Sequence, residues 1–435
     1  MAMSREIASE RVRFMAMALL FFANAVVETS NEVVATSGFV SKLGASQILW
    51  LWGADALIIV IASSVYSLVV DRMNRRKLAI ALFAGFGGGY VAVFALFVLG
   101  APDGVTYTTL KLMNSQQDNL LPLVMAALAT DIFTVSESKR LFGLLGAAAI
   151  IGEMAGNGLA IGFARLLGGN NAGLLLGNAA WLLAGAMTLA APARRIEPST
   201  RQALEGEGTM AALRGGLLFA RDVAIFRYLT LSALLVGVGW TVIQYQFLVE
   251  LSNAFPETGD LQVAYGVFKI AIPALLLALQ TVGLRWLLRW WGYKSVFTMM
   301  PGALFFGLTL ALIWPGFIAV AIGSYLAQVV SQGINEPSEQ SFLGLAPDEL
   351  RGRMGAFLHG FLYPLGHLLG YILVGVALWQ AGSPQRGRLI YAGAAWACLA
   401  VAVWSALRIR ARYDSGMLDW RWRRRRRQGV VELEF

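Results

Sequence analysis

The sequence has few of the residues that build most enzyme sites. It contains one cysteine and two histidines in 435 residues, so a disulfide within the chain is excluded. No His, Cys, Asp or Glu residues have the spacing of a metal site, no Ser-His-Asp set is evident, and no GxxxxGK loop cradles phosphates. These absences predict a protein that is not an enzyme and that carries no metal and no cofactor.

Charged residues are also scarce. They make up 14% of the chain, against about 25% in soluble domains, whereas 57% of the residues are hydrophobic. Apolar stretches of roughly 20 residues, the length of a membrane-spanning helix, recur from end to end. Lipid cannot satisfy the edges of an open sheet, and the alternation of barrel strands is missing. We predict an all-α protein that spans the lipid bilayer.

Twelve transmembrane helices can be placed on the sequence. The predicted spans are 14–34, 48–70, 78–100, 119–133 (starting as early as 108), 141–164, 173–191, 228–248, 263–284, 296–314, 317–330, 354–379 and 389–407. The predicted domains are an N-terminal six-helix bundle (1–192), a cytoplasmic linker with an amphipathic helix (193–227), a C-terminal six-helix bundle (228–408) and a basic cytoplasmic tail (409–435).

The net charge of +9 follows the predicted topology. With the N-terminus inside, most Arg and Lys residues fall in cytoplasmic loops, so both termini are predicted to be cytoplasmic and no nucleic acid is needed to explain the charge. We expect a bacterial cytoplasmic membrane. The tail from Trp420 to Arg427 pairs aromatic anchors with arginines, which is typical of contact with anionic lipid. Docking to RNA or to a membrane-protein partner is the alternative.

Basic loops recur at matching places in the two halves, which is what a parallel repeat predicts. After span two, the run Asp71-Arg72-x-x-Arg75-Arg76 resembles the inner-loop signature of the major facilitator superfamily, with Ser67 at the usual glycine position. This resemblance implies two pseudo-symmetric six-helix bundles that give alternating access. The candidate inner-loop gate comprises Asp71, Arg72, Arg75 and Arg76, together with a charge network of Asp131, Lys139 and Arg140.

The segment 131–146, DIFTVSESKRLFGLLG, is similar to the bacterial and plastid ATP/ADP translocase group. The segments 336–340 and 347–353 resemble the equivalent region of its second half. The resemblance implies a nucleotide or another anionic solute. That group holds phosphates with intramembrane lysines, and no lysine here can be matched to one of them, so no binding residue is carried over. The excess of acids leaves organic cations, lipids and amphiphiles open as substrates.

Several acids lie at depth, where a charge costs about 2.5–3.5 kcal/mol on insertion scales. Glu28 and Glu32 are one turn apart on span one, so their like charges repel unless one takes up a proton. Asp55 lies early in span two, and Glu153 lies beside Asn157 in a glycine-rich span five. We expect these residues to contact substrate or protons. The alternatives are placement at the outer interface for Glu28 and Glu32, an acid favoured at a helix start for Asp55, and tight helix packing for Glu153.

Polar side chains recur at depth in the second half too. Lys269 is the base at depth there, and a salt bridge to an acid on span one or five is its alternative role. A histidine that titrates near neutrality could carry protons, and a hydrogen-bonded core histidine is the alternative. The other candidates share helical spacing on spans seven, ten and eleven: Trp240, Gln244, Gln332, Glu336, His359, Tyr363 and His367.

These patterns together predict a secondary transporter for a small, nucleotide-like anion, with proton coupling through Glu28 or Glu153. The alternative is a non-transporting scaffold or assembly subunit of a larger membrane complex that keeps the same fold.

Overall fold

A computed structural model describes residues 2–70, 73–166, 171–190, 224–278, 295–335 and 361–431. Within these ranges the side chains are described except at 2–9, 67, 68, 70, 135, 139, 224–226 and 412–431.

The described ranges contain twelve α-helices and no strand, in agreement with the predicted fold class. The helices are α1 Ala2–Leu43, α2 Ile48–Val70, α3 Arg75–Val98, α4 Asp103–Ile132, α5 Val135–Leu166, α6 Ala172–Ala190, α7 Ala224–Ala254, α8 Thr258–Ala278, α9 Val296–Ile313, α10 Phe317–Val330, α11 Tyr363–Ala381 and α12 Pro384–Val431. A 3₁₀ turn, Ala45–Gln47, precedes α2, and a π-helical turn, Ser331–Asn335, continues α10.

Eleven helices in the described part of the chain are long and apolar enough to cross a membrane. Their burial inside the protein is incomplete, and large apolar side chains such as Trp50, Leu57 and Ile61 are exposed on α2. Such a surface is stable in lipid and not in water. The chain is therefore an integral membrane protein.

Helix α4 is the exception among the twelve, and its start differs from the prediction. The sequence favoured a span beginning at 119 or as early as 108, whereas the helix begins at Asp103. Its first half carries Lys111, Asp118 and a run of Asn, Ser and Gln that hydropathy assigns to water. Apart from Asp118, these side chains pair with groups on neighbouring helices, and pairing makes polar groups tolerable at depth.

Side chains at the helix ends explain several boundaries. Asn74 caps α3 by accepting a hydrogen bond from the Arg76 backbone N–H at 2.9 Å. Thr134 and Glu137 form a capping box at the start of α5, in which the Thr134 backbone N–H donates to Glu137 Oε2 at 2.8 Å. Gly382 ends α11 with φ at 62°, a conformation that glycine adopts without strain.

The chain divides into two compact units. The first unit comprises residues 1–204 and 251–277, and in it α1 packs against α4, α5 and α6 while α3 packs against α4 and α6. Most of α8 belongs to this unit. The second unit comprises residues 205–250 and 278–435, and in it α9 packs against α10 and α12, and α11 packs against α12. The predicted linker, 193–227, lies almost wholly outside the described residues, so the predicted domain boundaries stay a prediction.

Candidate functional site

In the first unit, two glycines let α5 approach α1 closely. A Cβ added at Gly152 would lie 2.6 Å from the Phe22 carbonyl oxygen, and one added at Gly156 would overlap Thr29. We call this close contact of α1 and α5 at Gly152 and Gly156 the seam of the unit. The Thr29 hydroxyl donates to the backbone carbonyl of Glu153 at 3.3 Å across it. The close approach therefore fixes Glu153 beside α1, which carries Glu28 and Glu32.

The Glu32 carboxylate is the best-connected of the predicted acids. Lys111 Nζ donates to its Oε2, and Asn114 Nδ2 donates to the same oxygen at 3.1 Å. The hydroxyls of Thr36 and Tyr265 donate to its Oε1 at 3.0 and 3.3 Å. Glu32 thus joins α1 to α4 and α8 through a salt bridge and three further hydrogen bonds, and its charge is locally compensated.

Asp55 of α2 is held by α4. Ser115 Oγ donates to its Oδ2, and Gln116 Nε2 donates to its Oδ1 at 3.1 Å. The carboxylate also lies in electrostatic range of Lys111 and Glu32. Asp55 is therefore linked through α4 to the charged residues of α1, and the polar half of α4 that makes this link lies outside the predicted span 119–133.

Glu28 faces a group of charges drawn from three other helices. It lies in electrostatic range of Asp118, Glu153 and Lys269, which belong to α4, α5 and α8. Asp118 is exposed although it lies in electrostatic range of groups on α1, α5 and α8, so it lines an open space beside these helices of the first unit. Lys269 Nζ lies 5.6 Å from the centroid of the Tyr265 ring and is in electrostatic range of Glu28, Asp118 and Glu153, whose charges it offsets.

Buried amides hold the charged helices in place. Tyr90 of α3 donates to Gln117 Oε1 at 2.5 Å, and Gln117 Nε2 donates to Asn24 Oδ1 at 2.9 Å. Asn178 of α6 donates to Asn31 Oδ1 at 2.7 Å. Hydrophobicity alone could not reveal these contacts. The signal in the sequence was the presence of Asn24 and Asn31 on the same helix as the two acids.

Amides also tie α8 to α5. Gln262 Nε2 donates to the Ala160 carbonyl at 2.8 Å, and Gln262 and Asn171 exchange hydrogen bonds of 3.1 Å between their side chains. Asn157, a predicted site residue, is 2% exposed and donates to the Glu153 carbonyl at 2.8 Å. These contacts position Lys269 two turns further along α8.

The second unit repeats the seam with different side chains. A Cβ at Gly366 of α11 would lie 2.5 Å from the Leu234 carbonyl oxygen of α7, and one at Gly370 would lie 2.6 Å from Thr241 Cβ. Thr241 Oγ1 lies 3.2 Å from His367 Nδ1 and donates to the His367 carbonyl at 3.4 Å. His367 therefore holds the seam position that Glu153 holds in the first unit.

Neutral groups follow along the same face of α7. Gln244 Oε1 accepts from Ser324 Oγ at 3.3 Å and from Gln328 Nε2 at 3.5 Å, both on α10. Trp240 is half-buried one turn earlier, and Gln332 is exposed in the π-helical turn. The structure thus brings Gln244 together with α10, and the described predicted residues of this unit form no charged cluster.

The ion pair of the second unit involves residues that the sequence did not single out. Arg388 of α12 donates to Glu250 Oε1 at 2.6 Å and to the Ala311 carbonyl at 3.2 Å. With the Gln246 amide turned so that its oxygen faces the guanidinium, this oxygen accepts two further bonds of 2.9 and 3.0 Å. Because its donors are satisfied by α7 and α9, Arg388 fastens three helices together.

The inner-loop residues join helices of the first unit. Arg75 donates to Asp131 at 2.8 Å, so one partner of Asp131 is on α3. The predicted charge network of Asp131 with the Lys139-Arg140 turn stays a prediction. Arg76 donates to the Leu189 carbonyl at 2.7 Å. Arg140 pairs with Glu10, and Arg13 pairs with Glu137 at 3.2 Å.

Some predicted site residues lie outside the described residues: Asp71, Arg72, Glu336, His359 and the side chain of Lys139. Tyr363 is described and is half-buried at the start of α11.

Comparison with known proteins supports the fold. No protein-family model and no curated protein matches the sequence. Solved structures do match: nucleoside transporter NupG (14% identity, 92% of this chain and 98% of that chain, TM-score 0.67), an auto-inhibited POT family peptide transporter (14%, 91% and 96%, 0.63) and an inward-facing bacterial homologue of the iron transporter ferroportin (14%, 93% and 99%, 0.57). At such low identity the likeness concerns architecture, and it confirms the predicted major facilitator fold for this chain.

Proposed function

We propose that the protein is a proton-coupled secondary transporter of a small solute that works by alternating access. The observation that carries this proposal is the group of carboxylates at depth around an exposed Asp118 in the first unit. Charges inside a membrane are costly and generally face a water-filled path. The architecture shared with proteins described as nucleoside, peptide and iron transporters supports the same function.

Glu28 and Glu153 are the residues we assign to proton coupling. Each lies in electrostatic range of Asp118, a like charge, and Lys269 is the cation that both share. Taking up a proton on either carboxylate relieves the repulsion, and releasing it restores the attraction to Lys269. Proton binding on these residues would thereby change which arrangement of the helices is favoured, as alternating access requires.

Glu32 has a different role in this scheme. Its salt bridge to Lys111 and its three further hydrogen bonds make it a fixed anchor between α1, α4 and α8. The nucleotide-like solute implied by the sequence resemblance stays a prediction. Proton coupling does not depend on it, and the two are tested separately.

The test uses the full-length protein in proteoliposomes that contain a pH-sensitive dye. ADP, adenosine, dialanine and agmatine are added in turn, and proton movement into the lumen is recorded. We expect at least one solute to drive proton entry, and we expect Glu28→Gln or Glu153→Gln to abolish the proton signal. Glu257→Gln is the matched control, because Glu257 is exposed before α8 and away from the cluster.

Two results would contradict the proposal. One is solute uptake that is independent of pH and unchanged in both cluster variants. The other is the absence of any proton movement with the whole panel, since the four solutes cover anionic, neutral, zwitterionic and cationic chemistry.

A further inference from the structure

We infer that the solute carries a positively charged group rich in N–H donors, an ammonium or a guanidinium, which binds beside Asn114 and Asp118 in the first unit. This inference names the substrate class and rests on the proposed function for its physiological meaning. It differs from the nucleotide-like anion that the sequence resemblance implies.

Three amide side chains near the charged cluster have an oxygen without a hydrogen-bond partner: Asn114 Oδ1, Gln116 Oε1 and Asn157 Oδ1. Asn114 is 1% exposed and Asn157 is 2% exposed. A buried polar atom without a partner is costly, so each calls for a donor from outside the protein chain. All three atoms can only accept.

The orientation of each amide is fixed by its other end. The nitrogens of Asn114 and Gln116 donate to the carboxylates of Glu32 and Asp55 at 3.1 Å, and Asn157 Nδ2 donates to the Glu153 carbonyl at 2.8 Å. Turning any amide over would place its oxygen against another oxygen, which is unfavourable. The unpartnered atoms are therefore acceptors. Asn31 keeps one buried donor open, but its amide is directed at Asn178 of α6.

Asn114 and Asp118 are one helical turn apart, so they lie on the same face of α4. The amide oxygen and the exposed carboxylate thus offer adjacent acceptors. Pro122 follows Asp118 by four residues and has no N–H, which leaves the Asp118 carbonyl without its helical donor. Pro273 has the same relation to Lys269 on α8. Backbone acceptors are therefore added at the same place.

The charges of the cluster agree with this pattern of acceptors. Glu28, Glu32, Asp55, Asp118 and Glu153 supply five carboxylates, while Lys111 and Lys269 supply two amines. One lysine is already paired with Glu32. An anion would add to the repulsion, whereas a cation would offset it.

An organic cation fits better than a metal ion. In the part of the chain that the structure describes, no three His, Cys, Asp or Glu side chains converge closely enough to hold a metal. Amide oxygens and a carboxylate spread along a helix face suit the several N–H groups of a guanidinium or ammonium, which point in different directions.

Three small methyl-bearing probes separate these possibilities: methylguanidinium, tetramethylammonium and methylphosphonate. Methylguanidinium has a positive charge and N–H donors, tetramethylammonium has a positive charge without donors, and methylphosphonate has a negative charge. Binding to the full-length protein in lipid nanodiscs is followed by saturation-transfer NMR of the methyl signals. We expect saturable binding of methylguanidinium, weaker binding of tetramethylammonium, and none of methylphosphonate.

Variants locate the binding. Asn114→Leu and Asp118→Asn should each weaken methylguanidinium about tenfold, the effect of losing one charge-assisted hydrogen bond. The matched control is Asn119→Leu, because Asn119 is on the same helix but donates to Ser63 of α2 at 3.0 Å. Its affinity should equal that of the unaltered protein. Melting curves recorded with every variant verify that it is folded.

The inference is overturned if methylphosphonate binds as well as methylguanidinium, if both cations bind equally, if none of the probes binds saturably, or if Asp118→Asn binds methylguanidinium normally. This equilibrium measurement needs no transport. Binding of methylguanidinium without proton movement in proteoliposomes would contradict only the proposed transport. ADP-driven proton movement with preferential methylphosphonate binding would contradict only the cationic substrate.

Discussion

In the first unit, α5 packs on α1 through Gly152 and Gly156, and in the second unit, α11 packs on α7 through Gly366 and Gly370. In both units a threonine hydroxyl of the first helix reaches the residue that follows the first glycine of the other helix. That residue is an acid in one unit and His367 in the other. The two seams are built alike in the backbone and differ in the chemistry of their side chains.

The difference in side-chain charge between the two units continues three residues further along α1 and α7. Glu32 stands three residues after Thr29 and pairs with Lys111 of α4, whereas Gln244 stands three residues after Thr241 and pairs with the neutral side chains of α10. The scaffold of the two units is therefore repeated, but charge at this depth is concentrated in the first unit. Proton and solute chemistry are expected to follow the charge, and the neutral unit is expected to supply shape and hydrogen bonds.

Breaking the salt bridge between Lys111 and Glu32 should have the largest effect on this comparison. Lys111→Met leaves the Glu32 carboxylate buried without its cation and should lower the free energy of unfolding by about 3–5 kcal/mol. The double change Lys111→Met with Glu32→Gln makes this position resemble the neutral second unit and should recover most of that loss. Thermal unfolding of the purified protein measures both.

Lys42→Met is the control for this experiment, since Lys42 is exposed at the end of α1. A Lys111→Met protein no less stable than Lys42→Met would mean that the charged pair does not hold the first unit together. The distinction between the two units would then concern function alone.

The likeness of the two seams can be tested next. Gly152→Ala and Gly366→Ala each place a methyl group against a backbone oxygen, and overpacking of this kind costs about 1–3 kcal/mol. The two losses in thermal stability should be similar. Gly158→Ala and Gly375→Ala face open space and should be neutral or slightly stabilising, because alanine favours helix. Unequal effects at Gly152 and Gly366 would show that the seams are not equivalent.

The apolar residues of the sequence predicted the helices well, whereas the polar residues of α4 did not. Long apolar runs predicted the fold class, and eight helices besides α4 agree with the predicted spans to within four residues at one or both ends. The predicted spans 14–34, 263–284 and 389–407 differ from α1, α8 and α12 by five residues or more at each end. Helix α4 was placed too late because Lys111, Asn114 and Asp118 look like loop residues when partners are unknown. Lys111 and Asn114 pair with Glu32 of α1, and Asp118 lies in electrostatic range of Lys269 on α8. Contacts between residues far apart in sequence leave no local pattern.

The candidate site shows the same limit. Glu28, Glu32 and Glu153 stood out because a lone acid in an apolar run is unusual, and the structure brings Glu32 and Glu153 into electrostatic range of Glu28. No sequence pattern indicated that Gln117 would join Tyr90 to Asn24, since amides in an apolar helix have many alternative roles. Long-range pairing of neutral groups was thus the part that could not be predicted.

Removing the threonine hydroxyls should have a smaller effect than the glycine changes. Thr29→Val loses a bond to the Glu153 carbonyl, and Thr241→Val loses one to the His367 ring, each a loss of about 1 kcal/mol. The second loss should be the larger, because Thr241 Oγ1 contacts the half-buried His367 ring as well as its carbonyl, whereas Thr29 Oγ1 contacts backbone carbonyls alone. Thr188→Val, at an exposed site on α6, is the control in melting experiments and should be neutral. A larger loss for Thr29→Val would reverse the expected ranking of the two units.

The smallest effect is expected at the inner end of the first unit, where charged groups meet water instead of one another at depth. The pKa of Glu137 is lowered by the hydrogen bond from the Thr134 backbone N–H and by the nearby Arg13 and Arg140. A carboxyl with a lowered pKa adds stability above its unfolded pKa of about 4.3, and this stability is lost as the pH falls through the lower folded value.

Glu137→Gln should therefore reduce stability by at most about 1 kcal/mol at pH 7. The gap between the two melting curves should close as the pH falls below the lowered pKa of Glu137, because both side chains are then uncharged. Glu257→Gln should show no gap at either pH, and a gap for Glu137→Gln that stays constant in acid would mean that capping geometry, and not charge, anchors the start of α5.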